Sequence, residues 1–274
     1  MMIFDLLLTS LIPLSLIGII LYGSKNAMDD SFFMSKSYGN FLKGLCAVIV
    51  VLFHYPQSCQ NPLQHFMGGF AFVSVTLFFL FSSYGMQLNV EHNPSYLHLF
   101  WKKRLLGLLC PVLVVNISFF FLQSLFLKKV DLEILYHVDE YVIVLLQYCL
   151  LFYVTNYLYK KAVIRSLWQI DALLIVGVIV SSLIVVFSLP SNSPSGENYW
   201  YVERYGLIWG LLLYRYFPNI VQWLNASRNK KSIIVLVTSV LTLVAYHSLK
   251  LNGIGYRYIF EMLSALFLVS LFFC

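Results

Sequence analysis

The chain has 274 residues, of which 60% are hydrophobic and only 11% charged, and its mean hydropathy is +0.79. Soluble domains carry about 25% charged residues, so an ordinary water-soluble enzyme is excluded. The formal net charge of +6 comes from loop lysines and arginines between apolar runs, and it implies no nucleic-acid partner.

Apolar runs of about 20 residues, long enough to cross a bilayer, recur along the chain. They predict an all-α, polytopic membrane protein, a single domain over 1–274. Nine transmembrane helices are expected near 4–23, 41–58, 66–89, 105–127, 139–159, 169–189, 199–216, 232–251 and 256–274. The first run carries Asp5, no Lys or Arg before its apolar core, and no small-x-small site after it. A retained extra helix is therefore expected rather than a cleaved signal peptide. The second run holds Lys43 and His54 with only apolar residues and one glycine between them. Eleven helical steps return to within about 20° of the start, so the two share one face, roughly 16 Å apart along the axis. Ionisable groups at such depth are costly and are functional candidates. The fourth run follows the basic triplet Lys102, Lys103 and Arg104. A Pro/Ser/Gly-rich stretch, 190–196, separates the sixth run from the seventh. The seventh carries Glu203 and Arg204 within Tyr199-Trp-Tyr-Val-Glu-Arg-Tyr205, an aromatic belt of the kind found at membrane interfaces. The sequence stops at Cys274 inside the last apolar run, which implies a short final helix or derivation from a longer ancestor.

The loops orient the chain. Lys25, Lys36 and Lys43 precede the second helix, Lys102, Lys103 and Arg104 the fourth. Lys160, Lys161 and Arg165 follow the fifth, and Arg215, Arg228, Lys230 and Lys231 follow the seventh. The alternate loops hold only Lys128, Lys129, Lys250 and Arg257. By the positive-inside rule the basic loops are cytoplasmic and the N-terminus lies outside.

Cys46, Cys110, Cys149 and Cys274 lie in apolar runs, where a free thiol acts as a small hydrophobe. Only Cys59 falls near the outer surface, and no Cys/His spacing suggests a zinc site. No metal is expected. Asn116-Ile-Ser and Asn225-Ala-Ser match the glycosylation pattern. One falls in a helix and the other in a cytoplasmic loop, so neither should be modified.

Three segments together carry a family resemblance. Lys43-Gly-Leu, opening a helix that ends in His54, resembles the Arg/Lys-x10-His motif of the acyltransferase 3 family, bacterial membrane O-acyltransferases that act on surface glycans. Leu77-Phe-Phe-Leu-Phe-Ser-Ser-Tyr-Gly85 is similar to that family's Phe-Phe-x-x-Ser-Gly-Tyr signature. Phe100-Trp-Lys-Lys-Arg-Leu-Leu-Gly-Leu-Leu-Cys-Pro111 resembles its Arg-x-x-Arg segment and following proline. Order and spacing agree over 38–116; beyond about 120 only the helix count is compatible. Ser83 stands where the family has glycine, Gly107 stands in place of the second arginine, and nine helices compare with the usual ten.

The resemblance implies transfer of an acyl group, acetyl by preference, from cytoplasmic acyl-CoA. The acceptor would be a sugar hydroxyl of a surface polysaccharide or a lipid-linked precursor, reached from the bacterial inner membrane. Such transfer needs a base for the acceptor hydroxyl, and histidine titrates near neutrality. His54 would be that base or a transient acyl carrier; on residue type alone it reads as an interfacial histidine bonded to a backbone carbonyl. Lys43 would serve the donor side, or would snorkel and fix topology only. Lys102, Lys103 and Arg104 could anchor a helix end, or meet the phosphates of CoA, for which arginine is well shaped. The family pattern favours Arg104, with Lys103 beside it. Glu203 lies at a depth similar to His54 and could orient its imidazole, or could be a solvated rim residue; Glu261 is a comparable candidate. His65, His92, His98, His137 and His247 lack a partner motif. Two other readings stand beside the enzyme: a transporter or flippase of glycan precursors, and a non-catalytic paralogue kept as a partner subunit. Transporters commonly show repeated halves or matched broken helices, and neither is visible here.

Overall fold

The computed structural model describes residues 35–54, 71–127, 131–188 and 200–225, and the single positions 233, 234, 237 and 241. Every regular element among the described residues is helical. In order these are α1 (Lys36–His54), α2 (Ala71–His92), α3 (Phe100–Leu127), the single turn α4 (Glu133–Tyr136), α5 (Glu140–Lys160), α6 (Leu167–Ser188), a 3-10 turn (Glu203–Tyr205) and α7 (Gly206–Asn225). The six long helices correspond to the second to seventh expected spans. The first and ninth spans lie outside the described residues, and the single positions are all that is described of the eighth. Among the described residues four segments are long and apolar enough to cross a membrane: α2, α3, α5 with the short α4 before it, and α6.

Three helix boundaries differ from the sequence reading, each for a local reason. α1 starts at Lys36 because Ser35 caps it: the Tyr38 N–H donates to Ser35 Oγ at 3.2 Å, and the Gly39 N–H to the Ser35 carbonyl at 2.9 Å. Lys43 is thus two turns inside the helix rather than at its opening. α3 starts at Phe100, after a turn in which Asn93 Oδ1 accepts from both the backbone N–H and the hydroxyl of Ser95. Lys102, Lys103 and Arg104 therefore fall inside the helix and not in the loop before it. α7 begins only at Gly206 and runs through Pro218 to Asn225. Ahead of it, Trp200 has a left-handed backbone with φ 51, a conformation that a continuous helix cannot contain. Glu203 and Arg204 consequently occupy the 3-10 turn, and Arg215 lies mid-helix. Pro218 removes one helical N–H donor, which bends a helix without ending it when its flanks pack.

The chain divides into two units, residues 83–214 and residues 1–82 with 215–274. In the unit of 83–214, α5 and α6 pack as neighbours, α3 touches α4 and α5, and the 3-10 turn packs on α6. Asp139 caps α5, its Oδ1 accepting the Tyr141 N–H at 2.8 Å. The buried positions of α6, Ile170, Leu174, Val178 and Ser182, recur every four residues and form one stripe. Gly177 lies beside it, where a Cβ would overlap the end of the Leu151 side chain; a small residue here lets α5 and α6 approach. α3 is different: its apolar side chains, Leu113, Val114, Val115, Phe121, Leu125 and Phe126 among them, are exposed, the surface a lipid-facing helix presents.

In the other unit, α1 packs on the first half of α2. Gly39, Leu42 and Cys46 are buried positions of α1, and a Cβ on Gly39 would meet the Phe81 ring at 3.7 Å. The Cys46 thiol hydrogen-bonds Ser74.

Candidate functional site

One continuous helix, α1, carries both Lys43 and His54. The helical register puts positions 43 and 54 on the same face, three turns apart. Lys43 is half-buried, and its Nζ sits 5.6 Å from the centroid of the Phe81 ring. A cation over an aromatic face is held electrostatically, by about 0.5–1 kcal/mol at an exposed site and more when desolvated. Phe81 belongs to the Phe-rich segment of α2, so two of the three motif segments touch. His54 is the last described residue of α1; its side chain lies outside the described residues, as do 55–70.

In the unit of 83–214, Arg104 and Lys103 diverge. Lys103 is exposed, whereas Arg104 is half-buried. Its Nη2 donates to the Tyr96 hydroxyl at 3.0 Å, and its guanidinium lies 5.9 Å from the Phe100 ring centroid, one turn back on the same helix. Burial pushes the Tyr96 hydroxyl up from its ordinary value against the opposing pull of Arg104. Tyr96 therefore stays neutral at physiological pH and leaves the arginine charge uncompensated. Arg104 meets no carboxylate among the described residues. A part-buried guanidinium without an acid partner suits a phosphate, which it can bind through paired N–H groups.

This geometry separates structural from binding roles. Arg104→Ala removes the partner of the Tyr96 hydroxyl and should cost about 1–3 kcal/mol of stability; the donor role that the family resemblance implies would further have it weaken acetyl-CoA binding by roughly 10- to 100-fold through a lost charged hydrogen bond. Tyr96→Phe should lower the melting temperature without changing acetyl-CoA affinity, and Lys103→Ala should change either little. Calorimetric titration and thermal unfolding of detergent-purified variants measure both quantities. Unchanged acetyl-CoA affinity in Arg104→Ala would remove the donor role.

Ser83, the position where the resembled family has glycine, is fully buried. Its hydroxyl shares a 2.7 Å hydrogen bond with Tyr148 Oη on α5, so the added polar group is satisfied. Nearby, Cys149 Sγ lies 3.8 Å from Met86 Sδ. Gly107, the other departure, faces open space.

Glu203 and Arg204 are both buried, at 7% and 1% exposure, so Glu203 is not a solvated rim residue. Arg204 donates from Nε to the Trp200 carbonyl at 3.2 Å and from Nη1 to Ser181 Oγ on α6 at 3.1 Å. Beside it, the Ser182 hydroxyl donates to the Tyr201 carbonyl at 2.6 Å. Arg204 was not among the sequence candidates. Its signal was an arginine inside an aromatic, apolar run, but its partner lies 23 residues earlier in the chain.

The sequence candidates thus fall into two sets. Lys43 and His54 lie on one helix of the unit of 1–82 with 215–274; Lys103, Arg104 and Glu203 lie in the unit of 83–214. Among the described residues no group of His, Cys, Asp and Glu could hold a metal ion. Comparison of the chain with family models, with curated proteins and with solved structures finds no match in any of the three.

Proposed function

We propose that the chain is an inner-membrane O-acyltransferase. It moves an acyl group, acetyl by preference, from cytoplasmic acyl-CoA to a sugar hydroxyl of a surface polysaccharide or its lipid-linked precursor. The observation that supports this reading is the helix α1, which carries positions 43 and 54 in one element, three turns apart in the helical register. In this reading Arg104, with Lys103 exposed beside it, takes the anionic phosphates of the donor. Lys43 stands on the donor side of α1. His54 takes the proton from the acceptor hydroxyl as oxygen attacks the thioester carbonyl, or carries the acyl group transiently; coenzyme A leaves as the thiol. The decisive experiment is incubation of purified protein with labelled acetyl-CoA, with and without glycan acceptor. Acceptor-dependent release of free coenzyme A supports the reading, and its absence moves the chain towards a flippase or a non-catalytic subunit.

The mechanism requires nine spans with the N-terminus outside, so that Arg104 faces the cytoplasm. A cysteine placed at Ser193 should label with a membrane-impermeant maleimide in intact cells, and one at Asn229 only after permeabilisation. The reverse pattern inverts the protein and removes Arg104 from cytoplasmic acyl-CoA.

A further inference from the structure

At the α3–α5 seam of the unit of 83–214, rings and cations form a continuous series. Trp101 on α3 lies 5.6 Å from Tyr153 on α5, Tyr153 stacks on Tyr157 at 6.0 Å, and Lys161 Nζ caps the Tyr157 ring at 5.8 Å. Lys102 and Lys103 flank the series on α3, and Lys160 flanks it on α5; all three are exposed. Arg165 follows in the next loop, also exposed. Against these cations the same end of the unit offers Glu91, which accepts the Tyr214 hydroxyl, and Asp171, a turn inside α6.

Beneath this cap the surface turns apolar. Leu150, Val154, Tyr157 and Lys161 are offset by four, seven and eleven residues, so they line one face of α5 within about 40°. Leu150 and Val154 are exposed, as is Ile143 one heptad before Leu150. Leu105 and Leu106 continue an exposed apolar surface on α3 directly below the basic turn. Cations over half-exposed aromatic rings, with an apolar track running away from them, match a phospholipid: an anionic headgroup at the interface and acyl chains along the helices. A soluble nucleotide would use the cations and leave the track uncovered.

We propose that the α3–α5 seam binds one anionic phospholipid of the cytoplasmic leaflet. Its phosphate is held by Lys160, Lys161 and Lys102 at the start of α3, and its chains lie along Leu150 and Val154. This rests on the orientation proposed above and not on acyl transfer.

The test is native mass spectrometry of the full chain, equilibrated in mixed micelles of phosphatidylglycerol and phosphatidylcholine. The parent should retain phosphatidylglycerol over phosphatidylcholine by at least about tenfold. Each interfacial lysine contributes about a fivefold factor. Lys160→Gln with Lys161→Gln should therefore lower phosphatidylglycerol retention roughly 25-fold, while Lys160→Arg with Lys161→Arg retains it. Leu150→Asn with Val154→Asn should weaken retention of the lipid at constant charge. Excess glycerol 3-phosphate should not displace it. Equal retention of the two lipids by the parent, full retention by the double glutamine variant, or displacement by glycerol 3-phosphate overturns the proposal. Coenzyme A release is not among these readouts, so failure here leaves the role of His54 standing, and failure of acyl transfer leaves the lipid site standing.

Discussion

His54→Gln is expected to reduce acetylation of the surface glycan to background while the protein still inserts and accumulates normally. Glutamine keeps a similar size and hydrogen-bonding capacity but cannot take a proton near neutral pH. Loss of a general base costs about 10²- to 10⁴-fold in rate, which leaves too little product to measure in cells. Exchanging the side chain at position 54 removes no backbone hydrogen bond of α1, and His54→Ala should be about equally inactive. The measurement is glycan acetyl content in a deletion strain complemented with each variant, normalised to protein in the membrane fraction. Normal acetylation by the glutamine variant would make His54 structural and remove the main argument for an acyltransferase.

Lys43→Ala is informative beside it because its ammonium packs over Phe81. A role confined to that contact would lower stability and leave turnover per folded molecule unchanged. A donor-side role would raise the apparent KM for acetyl-CoA. Lys43→Arg keeps the cation over the ring and should restore stability in either case, so the KM of the arginine variant separates the two roles.

The helices were legible because membrane helices announce themselves by composition and length. The shared face of Lys43 and His54 follows from the helical period alone, and both positions belong to the one helix α1. The boundaries were less legible. Ser35 and Asn93 are short polar residues whose caps and turns depend on local backbone geometry, and hydropathy is blind to them. The seventh span was displaced because Trp200 to Tyr205 is apolar and aromatic enough to pass for a helix, yet the Tyr201 carbonyl and the Arg204 side chain bond Ser182 and Ser181 of α6. The partnerships inside the bundle were not legible at all. Ser83 meets Tyr148 across 65 positions of sequence, and neither residue type signals the other. Arg104 was singled out by pattern; that Tyr96 and Phe100 hold it half-buried with its charge uncompensated is a property of the folded loop.

Arg204→Ala is expected to be the most destabilising substitution at any charged position described in the unit of 83–214. The side chain is 1% exposed and bonds both the Trp200 carbonyl and Ser181 Oγ. Truncation removes both bonds and opens a cavity between the 3-10 turn and α6, while the Trp200 carbonyl keeps the backbone N–H of residue 204 and the Ser181 hydroxyl keeps its bond to the Val178 carbonyl. Two lost hydrogen bonds to a charged group contribute about 1.5–3 kcal/mol each, and the cavity adds to that. Because both acceptors keep a second bond, the total falls in the lower part of that sum, near 3–5 kcal/mol, the range found when one partner of a buried polar network is removed and a large share of a typical folding free energy of about 5–15 kcal/mol. Arg204→Lys should recover only part of it, because a compact ammonium lacks the planar fork that reaches both acceptors. Lys102→Ala, on an exposed lysine, should change stability by less than about 0.5 kcal/mol. Thermal unfolding in detergent, with membrane abundance as a second readout, ranks the three. Arg204 is then a clamp between the segment ahead of α7 and the α6 stripe, and the position of buried Glu203 next to it depends on that clamp. Parent-like unfolding of Arg204→Ala would show that the turn is held by the Ser182–Tyr201 bond and apolar packing, and would release Arg204 for a role in acceptor binding.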